Sequence, residues 1–326
     1  MSYSNTSSTT NTADSWNSYW RGDTSSHAYS SSGVNHPVLT AYWQSLFHEL
    51  HKQGSTSTMI DVASGNGALP ELALSIFDQD SIEITAVDVS TAAIENISNR
   101  FPAITGIVAD ANKLDLGDQR YDLVSSQFGI EYAGLNAIDN VVDLVNPGGM
   151  LNFMLHADGS AIGQECELNR DALLKLIEMD FIGLASNMFK HGFEAVAGAD
   201  RQHYDKAAQE IAAVLPKVES LIETYGQDIS GGLIVQLYND IGKIHSRMPH
   251  YHADDILPWL ERMQEEASAY LERMQSMLNA SLDQQQFDLI CDKLTGTSFL
   301  LEHHTILTDP QTSAPLAWVL QARKII

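Results

Sequence analysis

Cysteine is nearly absent. Cys166 and Cys291 are the only two in 326 residues, far apart and outside any Cys-x-x-Cys or Cys/His ligand spacing, so neither a disulfide framework nor a zinc site is expected. Positive charge is scarce too: 18 basic residues stand against 42 acidic ones, a formal charge of -24. No stretch gathers Lys and Arg with aromatics as a phosphate-binding surface would, so nucleic acid should be repelled. The same bias disfavours an anionic membrane surface. A cationic or neutral small molecule suits it better as a partner. No apolar run of about 18 residues is present to cross a membrane. The Ser/Thr/Asn-rich first 15 residues lack the basic start and apolar run of a secretion signal. These absences predict a cytoplasmic chain without membrane attachment, and they are compatible with a homodimer.

Residues 1–15 are low-complexity polar sequence that cannot bury enough apolar surface to order itself, and are read as a disordered leader. Residues 16–57 form an arm carrying Trp16, Tyr19, Trp20, Arg21 and Tyr29. A helix follows Asn35-His36-Pro37, its apolar face built from Leu39, Trp43, Leu46, Phe47 and Leu50. From Thr58 to His156 strand and helix patterns alternate: strand Met59 to Val62, helix Leu69 to Phe77, strand Ile82 to Val87, a helix capped by Ser90 and running through Arg100, strands Ile104 to Val108 and Tyr121 to Ser125, helix Ala137 to Val145, and strand Met150 to Leu155. Such alternation predicts an α/β fold with a doubly wound, mostly parallel sheet. Residues 157–285 change to helical periodicity, as in Phe181, Leu184 and Met188 or Leu260, Met263, Ala267, Leu271 and Met274. Two β-rich runs, Ser298 to Leu307 and Ala317 to Ala322, then close the sheet as an antiparallel pair.

The strongest chemical signal is Asp61-Val62-Ala63-Ser64-Gly65-Asn66-Gly67, placed between a strand and a helix. Glycines there let backbone approach a ligand, and the helix N-terminus supplies unpaired N–H groups. Asp88 ends the next strand, where a carboxylate can accept hydrogen bonds from both hydroxyls of a ribose. Asp110 follows the third strand, where a side chain and the next backbone N–H can read an adenine edge. A structural turn with surface acids, or a nicotinamide site, also fits parts of this set. The dinucleotide fingerprint, however, needs a third glycine, and the chain places Pro70 there.

In these residues the sequence resembles the class I S-adenosylmethionine-dependent methyltransferases. Asp61 to Gly67 is similar to their glycine-rich first motif, Asp88 to the ribose-binding acid, Ala109-Asp110-Ala111 to the adenine-side motif, and Tyr121-Asp122-Leu123-Val124-Ser125 to the fourth strand. Ala63 departs from the glycine usual in the family, so the turn must accept a methyl group. The resemblance covers residues 58–156 and the terminal strand pair. It implies S-adenosylmethionine as cofactor, held by Asp61, Ala63, Ser64, Gly65, Asn66, Gly67, Asp88, Val89, Asp110, Ala111, Gln127 and Phe128. Asp88→Ala is expected to weaken cofactor binding by about 1.5 to 3 kcal/mol while folding survives.

Gln127 to Tyr132 follow the fourth strand, where the family places residues facing the reactive methyl and the acceptor. The stretch lacks Asn/Asp-Pro-Pro-Tyr, which argues against an amino group on a nucleic-acid base as acceptor. Glu131 could hold a cationic acceptor or act as base, and an acid at a helix start explains it as well. His156 ends the fifth strand and could take a proton from a hydroxyl or thiol acceptor; a polar strand end is the plainer account. Trp20 and Arg21 fold over the cofactor or simply pack as an arm. His245, His250 and His252 lack the helical His-Glu-x-x-His spacing of a metal site, and none is expected.

The expected organisation is a leader (1–15), an arm (16–57), a Rossmann-like cofactor domain (58–156 with 286–326) and a helical cap (157–285) for the acceptor. The expected activity is methyl transfer to a small-molecule O, N or S nucleophile. Methylation of protein or tRNA, or cofactor binding without catalysis, are the alternatives.

Overall fold

The computed structural model describes residues 16–17, 19–20, 36–78, 80–134 and 136–326. The leader and Arg21 lie outside the described residues, and Trp16, Asn17, Tyr19 and Trp20 are what is described of the chain before His36. Seven strands form one sheet in the order β3-β2-β1-β4-β5-β7-β6. They are β1 (Thr58–Val62), β2 (Glu83–Asp88), β3 (Thr105–Val108), β4 (Tyr121–Gln127), β5 (Val145–His156), β6 (Phe299–Thr308) and β7 (Pro315–Lys324). Strands β1 to β5 pair in parallel. The last strand, β7, enters between β5 and β6 and runs antiparallel to both. The sheet is thus the doubly wound, mostly parallel type that the alternation predicts, with the closing hairpin folded so that its second strand meets β5.

Burial follows position in the sheet. In β1, Met59 to Val62 are all buried, and β5 is buried continuously from Met150 to His156. Edge strands β3 and β6 are half-buried or exposed at every position but the buried Phe299. A parallel strand roofed by helices on both faces takes mostly apolar side chains, whereas an edge strand need not. The core beneath the strand ends gathers Ile60, Val62, Val124, Leu151, Phe153, Leu155, Phe287 and Leu320, each contributing about 1.5 to 3 kcal/mol on burial.

Local signals set the helices that frame the strand ends. Ser90 accepts from the Ala93 N–H and starts helix Thr91–Arg100, the cap expected of a short hydroxyl residue. Gly67, at φ 87°, is the N-cap of helix Ala68–Ile76. Asp283 and Gln286 form a reciprocal capping box on helix Gln284–Thr295. Phe287 of that helix stacks on Trp318 of β7 at 4.4 Å, and the Trp318 indole donates to the Leu282 carbonyl at 2.8 Å. Helix Ala137–Val142 is shorter than the pattern predicts because β5 already begins at Val145. Its Pro147-Gly148-Gly149 segment sits where the β4–β5 register shifts.

The chain divides into two compact units, Met1–Glu165 with Ser276–Ile326, and Cys166–Gln275. The second unit is helical, with Phe181–Val196, Gln202–Ala212, Leu215–Tyr225 and Leu233–Ser246 among its elements. It has its own core of Phe181, Phe189, Ile234, Leu237 and Leu260. Among the described residues, no helix is long and apolar enough to cross a membrane.

Candidate functional site

The turn after β1 is held in a conformation that few side chains adopt. Ala63 (φ 56°), Gly65 (φ 52°) and Gly67 (φ 87°) all lie in the left-handed region. For Ala63 this costs roughly 1 kcal/mol that glycine would not lose. The extra methyl is accommodated because residue 129 is a glycine: a Cβ there would lie 2.6 Å from that of Ala63. The turn is pinned by the Ser64 N–H donating to the Val87 carbonyl at 3.0 Å and the Gly67 N–H donating to the Ser64 carbonyl at 2.9 Å. The buried Ser64 hydroxyl has no hydrogen-bond partner among the described residues. Asn66 is buried and accepts from the Asn96 amide at 3.1 Å, so its side chain ties the turn to the neighbouring helix.

Three buried carboxylates stand at the ends of β1, β2 and β4. Asp61 accepts from the Ser125 hydroxyl at 2.7 Å. Asp88 accepts from the Gly65 N–H with one oxygen and from the Ser90 N–H with the other, both at 2.8 Å. Glu131 accepts from the His156 backbone N–H at 2.9 Å, while its second oxygen has no partner. They are 2 %, 7 % and 7 % exposed. Among the described residues none of the three is in an ion pair. Loss of water therefore dominates their titration: burial pushes Asp61 and Glu131 up to about 7 and raises Asp88, with Asp88 adding repulsion on Asp61. A buried carboxylate without an ion-pair partner is costly alone and complementary to a cation.

Beyond Asp88, Val89 is 42 % exposed, an apolar surface beside the carboxylate. One oxygen of Asp110 accepts from the Asn112 N–H at 2.9 Å and caps the short turn Ala111–Lys113. Ala111 is buried in the core beneath, leaving its carbonyl to accept from the Asn140 amide.

The opposite flank is aromatic. Gln127 ends β4, and Phe128 follows in the left-handed region at φ 51°. The Phe128 ring stacks on the His156 imidazole at 4.4 Å. The Tyr132 hydroxyl lies 2.9 Å from His156 Nε2. His156 is 2 % exposed, and burial holds it neutral by pulling its titration down to about 3. Both expected catalytic residues, His156 and Glu131, are thus enclosed, and Tyr132, half-buried, stands in front of the histidine. The arm reaches the same place. Trp16 meets Tyr132 edge to face at 5.6 Å, and the Trp20 ring lies over Gly65, where a Cβ would come within 2.7 Å of it. Arg21 lies outside the described residues.

Residues 59–149 match a family model described as a methyltransferase domain. Over that span the chain carries a methyltransferase domain. No curated protein matches its sequence. Among solved structures it is similar to the N-methyltransferase NodS from Bradyrhizobium japonicum WM9, at 10 % identity and a TM-score of 0.38 over 90 % of this chain and 99 % of that one. The NodS complex with S-adenosyl-L-homocysteine matches at 20 % identity and 0.36, over 45 % and 74 %. CalS10 of Micromonospora echinaspora, an amino pentose methyltransferase, matches at 20 % and 0.29, over 34 % and 50 %. The cofactor that the sequence resemblance implies is S-adenosylmethionine, a sulfonium that also carries an ammonium group. The residues at the strand ends suit it chemically: a glycine turn open to close backbone approach, an unpartnered buried hydroxyl at Ser64, and three desolvated carboxylates.

The sequence reading did not single out Tyr132, Ser125, Asn17 or Asn96. Tyr132 lay in the stretch after β4 already assigned to the acceptor side, so a signal for it existed. Ser125, in the fourth-strand motif, pairs with Asp61 across strands. Asn17 reaches over the start of helix Thr91–Arg100, accepting from the Ser90 hydroxyl at 3.1 Å and the Ala92 N–H at 3.0 Å; nothing local marks it.

Proposed function

We propose that this methyltransferase acts on a small-molecule nucleophile, with Tyr132 meeting the acceptor and His156 and Phe128 holding Tyr132 in place. The observation that carries this reading is the Tyr132–His156 hydrogen bond, on a histidine whose backbone Glu131 holds. When bound, the cofactor supplies an electrophilic methyl, so the protein's task is mainly alignment and exclusion of water. Neutral His156 accepts the Tyr132 hydroxyl hydrogen, the phenol being the stronger acid of the two. The tyrosine oxygen then keeps lone pairs to accept from an acceptor N–H or O–H. Glu131 holds the His156 backbone through one oxygen and, when ionised, would supply negative charge to a bound cation.

The proposed cofactor contacts are Asp61, Ala63, Ser64, Gly65, Asn66 and Gly67 around the turn, Asp88 and Val89 at the ribose, Asp110 and Ala111 at the adenine, and Gln127 and Phe128 on the methyl side. The helical residues 157–285 are proposed to carry acceptor choice. A formal charge of -24 favours small cationic or neutral acceptors over nucleic acid. Calorimetric titration with S-adenosylmethionine, followed by S-adenosylhomocysteine formation against panels of small amines, alcohols and thiols, tests the reading. A gel-shift titration with tRNA and DNA should show no retention at physiological salt. Micromolar, salt-sensitive retention would overturn the small-acceptor assignment.

A further inference from the structure

The arm does more than lie near the glycine turn. Trp20 is buried, and its ring covers the face of Gly65 that a bare glycine leaves open. Its backbone carbonyl accepts from the Asn96 amide at 2.9 Å. Tyr19 packs against the Trp20 ring at 4.7 Å, and Ala92 and Ala93 pack beneath. Asn17 fastens the same turn of the arm to the start of helix Thr91–Arg100 through Ser90 and Ala92. One helical turn before Trp20, on the same face, Trp16 covers Tyr132. Underneath, one oxygen of Asp88 accepts from the Gly65 N–H of the turn and the other from the Ser90 N–H. The resting site is thus closed on itself, with an aromatic ring on the backbone surface where the family motif needs a ligand.

We propose that Trp20 is a built-in competitor for the cofactor, and that its displacement also lifts Trp16 from Tyr132, so that the cofactor enters first and the acceptor second. This rests on the reading that the glycine turn holds S-adenosylmethionine. Trp16 and Trp20 belong to one short helical turn anchored by Asn17, so the two rings leave together. A side chain merely lining the cofactor would stabilise the complex; one occupying its place stabilises the free protein instead, and the two predict opposite effects of removal.

The experiment is calorimetric titration of the full chain with S-adenosylhomocysteine for wild type, Trp20→Ala and Asn17→Ala, with stopped-flow tryptophan fluorescence on the same mixtures. Asn17→Ala releases the arm without altering the turn, and it remains informative if Trp20→Ala folds poorly. The expected result is a Kd at least tenfold lower for Trp20→Ala and several-fold lower for Asn17→Ala. The wild-type binding rate should level off at high ligand concentration, where arm opening limits it, and the variants' rates should keep rising. Wild type that binds while both variants bind equally well or more weakly overturns the competition. Wild type that fails to bind at all overturns the cofactor reading itself, and the proposal with it.

Discussion

Asp61→Asn gives the most direct measure of what the site costs the fold. Asp61 is fully enclosed, accepts one hydrogen bond from Ser125, and is raised from an ordinary 3.8 to about 7. The folded chain therefore holds the proton more tightly than the unfolded chain does. Stability contributed by the neutral form is lost as pH rises from about 4 to about 7, and the loss is complete above that. Each unit of pKa separation is worth about 1.4 kcal/mol, so ionised Asp61 costs the folded state about 4 kcal/mol at pH 8, of which about 3 kcal/mol develops between pH 5 and pH 8. Asparagine preserves the acceptor for the Ser125 hydroxyl and removes the charge. Urea unfolding of both proteins at pH 5 and pH 8, followed by circular dichroism, should show wild type losing about 2 to 3 kcal/mol more than Asp61→Asn across that interval. The variant should also be the more stable protein at pH 8, by about 2 kcal/mol once the burial of the amide is allowed for. Equal pH dependence in the two proteins would refute the desolvation argument, and with it the account of Asp61 as a charge kept for a cationic ligand.

The same carboxylates make cofactor affinity pH-dependent: Asp61 and Glu131 ionise around pH 7 in the free protein, so calorimetry should find S-adenosylmethionine binding tightening from pH 6 to pH 8, and a flat or falling trend would contradict it. Asp88→Ala should weaken cofactor binding by about 1.5 to 3 kcal/mol. It should also lower stability by about 1 to 3 kcal/mol, because the Gly65 and Ser90 N–H groups lose their acceptor; an unchanged unfolding midpoint would show that water replaces the carboxylate. Gly129→Ala drives a Cβ to within 2.7 Å of both the Ala63 Cβ and its carbonyl oxygen. It should destabilise the protein by about 3 kcal/mol in thermal unfolding, and a loss below about 1 kcal/mol would mean that the turn yields easily. Tyr132→Phe should lower kcat for an identified acceptor about tenfold or more while leaving S-adenosylhomocysteine affinity within about twofold, the signature of one lost positioning hydrogen bond; equal turnover would remove Tyr132 from the acceptor side.

Much of the architecture was legible in the sequence because its causes are local. Alternating apolar runs and amphipathic stretches predict the strands and helices from Thr58 to His156. Ser90 announces its helix because a capping hydroxyl acts within three residues. Asp61 to Gly67 is readable because glycines between a strand and a helix constrain backbone whatever surrounds them. Tertiary structure alone decided what depends on residues distant along the chain. It put β7 between β5 and β6, since strand order is settled by which faces must be buried. It paired Ser125 with Asp61 across strands and stripped water from Asp61, Asp88 and Glu131, which raises the titration of all three. It enclosed His156, stacking Phe128 on its ring and setting the Tyr132 hydroxyl against its Nε2. It also laid Trp20 on Gly65, with 44 residues between them in the chain, a contact with no local cause: burial of an indole against bare backbone becomes favourable only when folding has brought the two together.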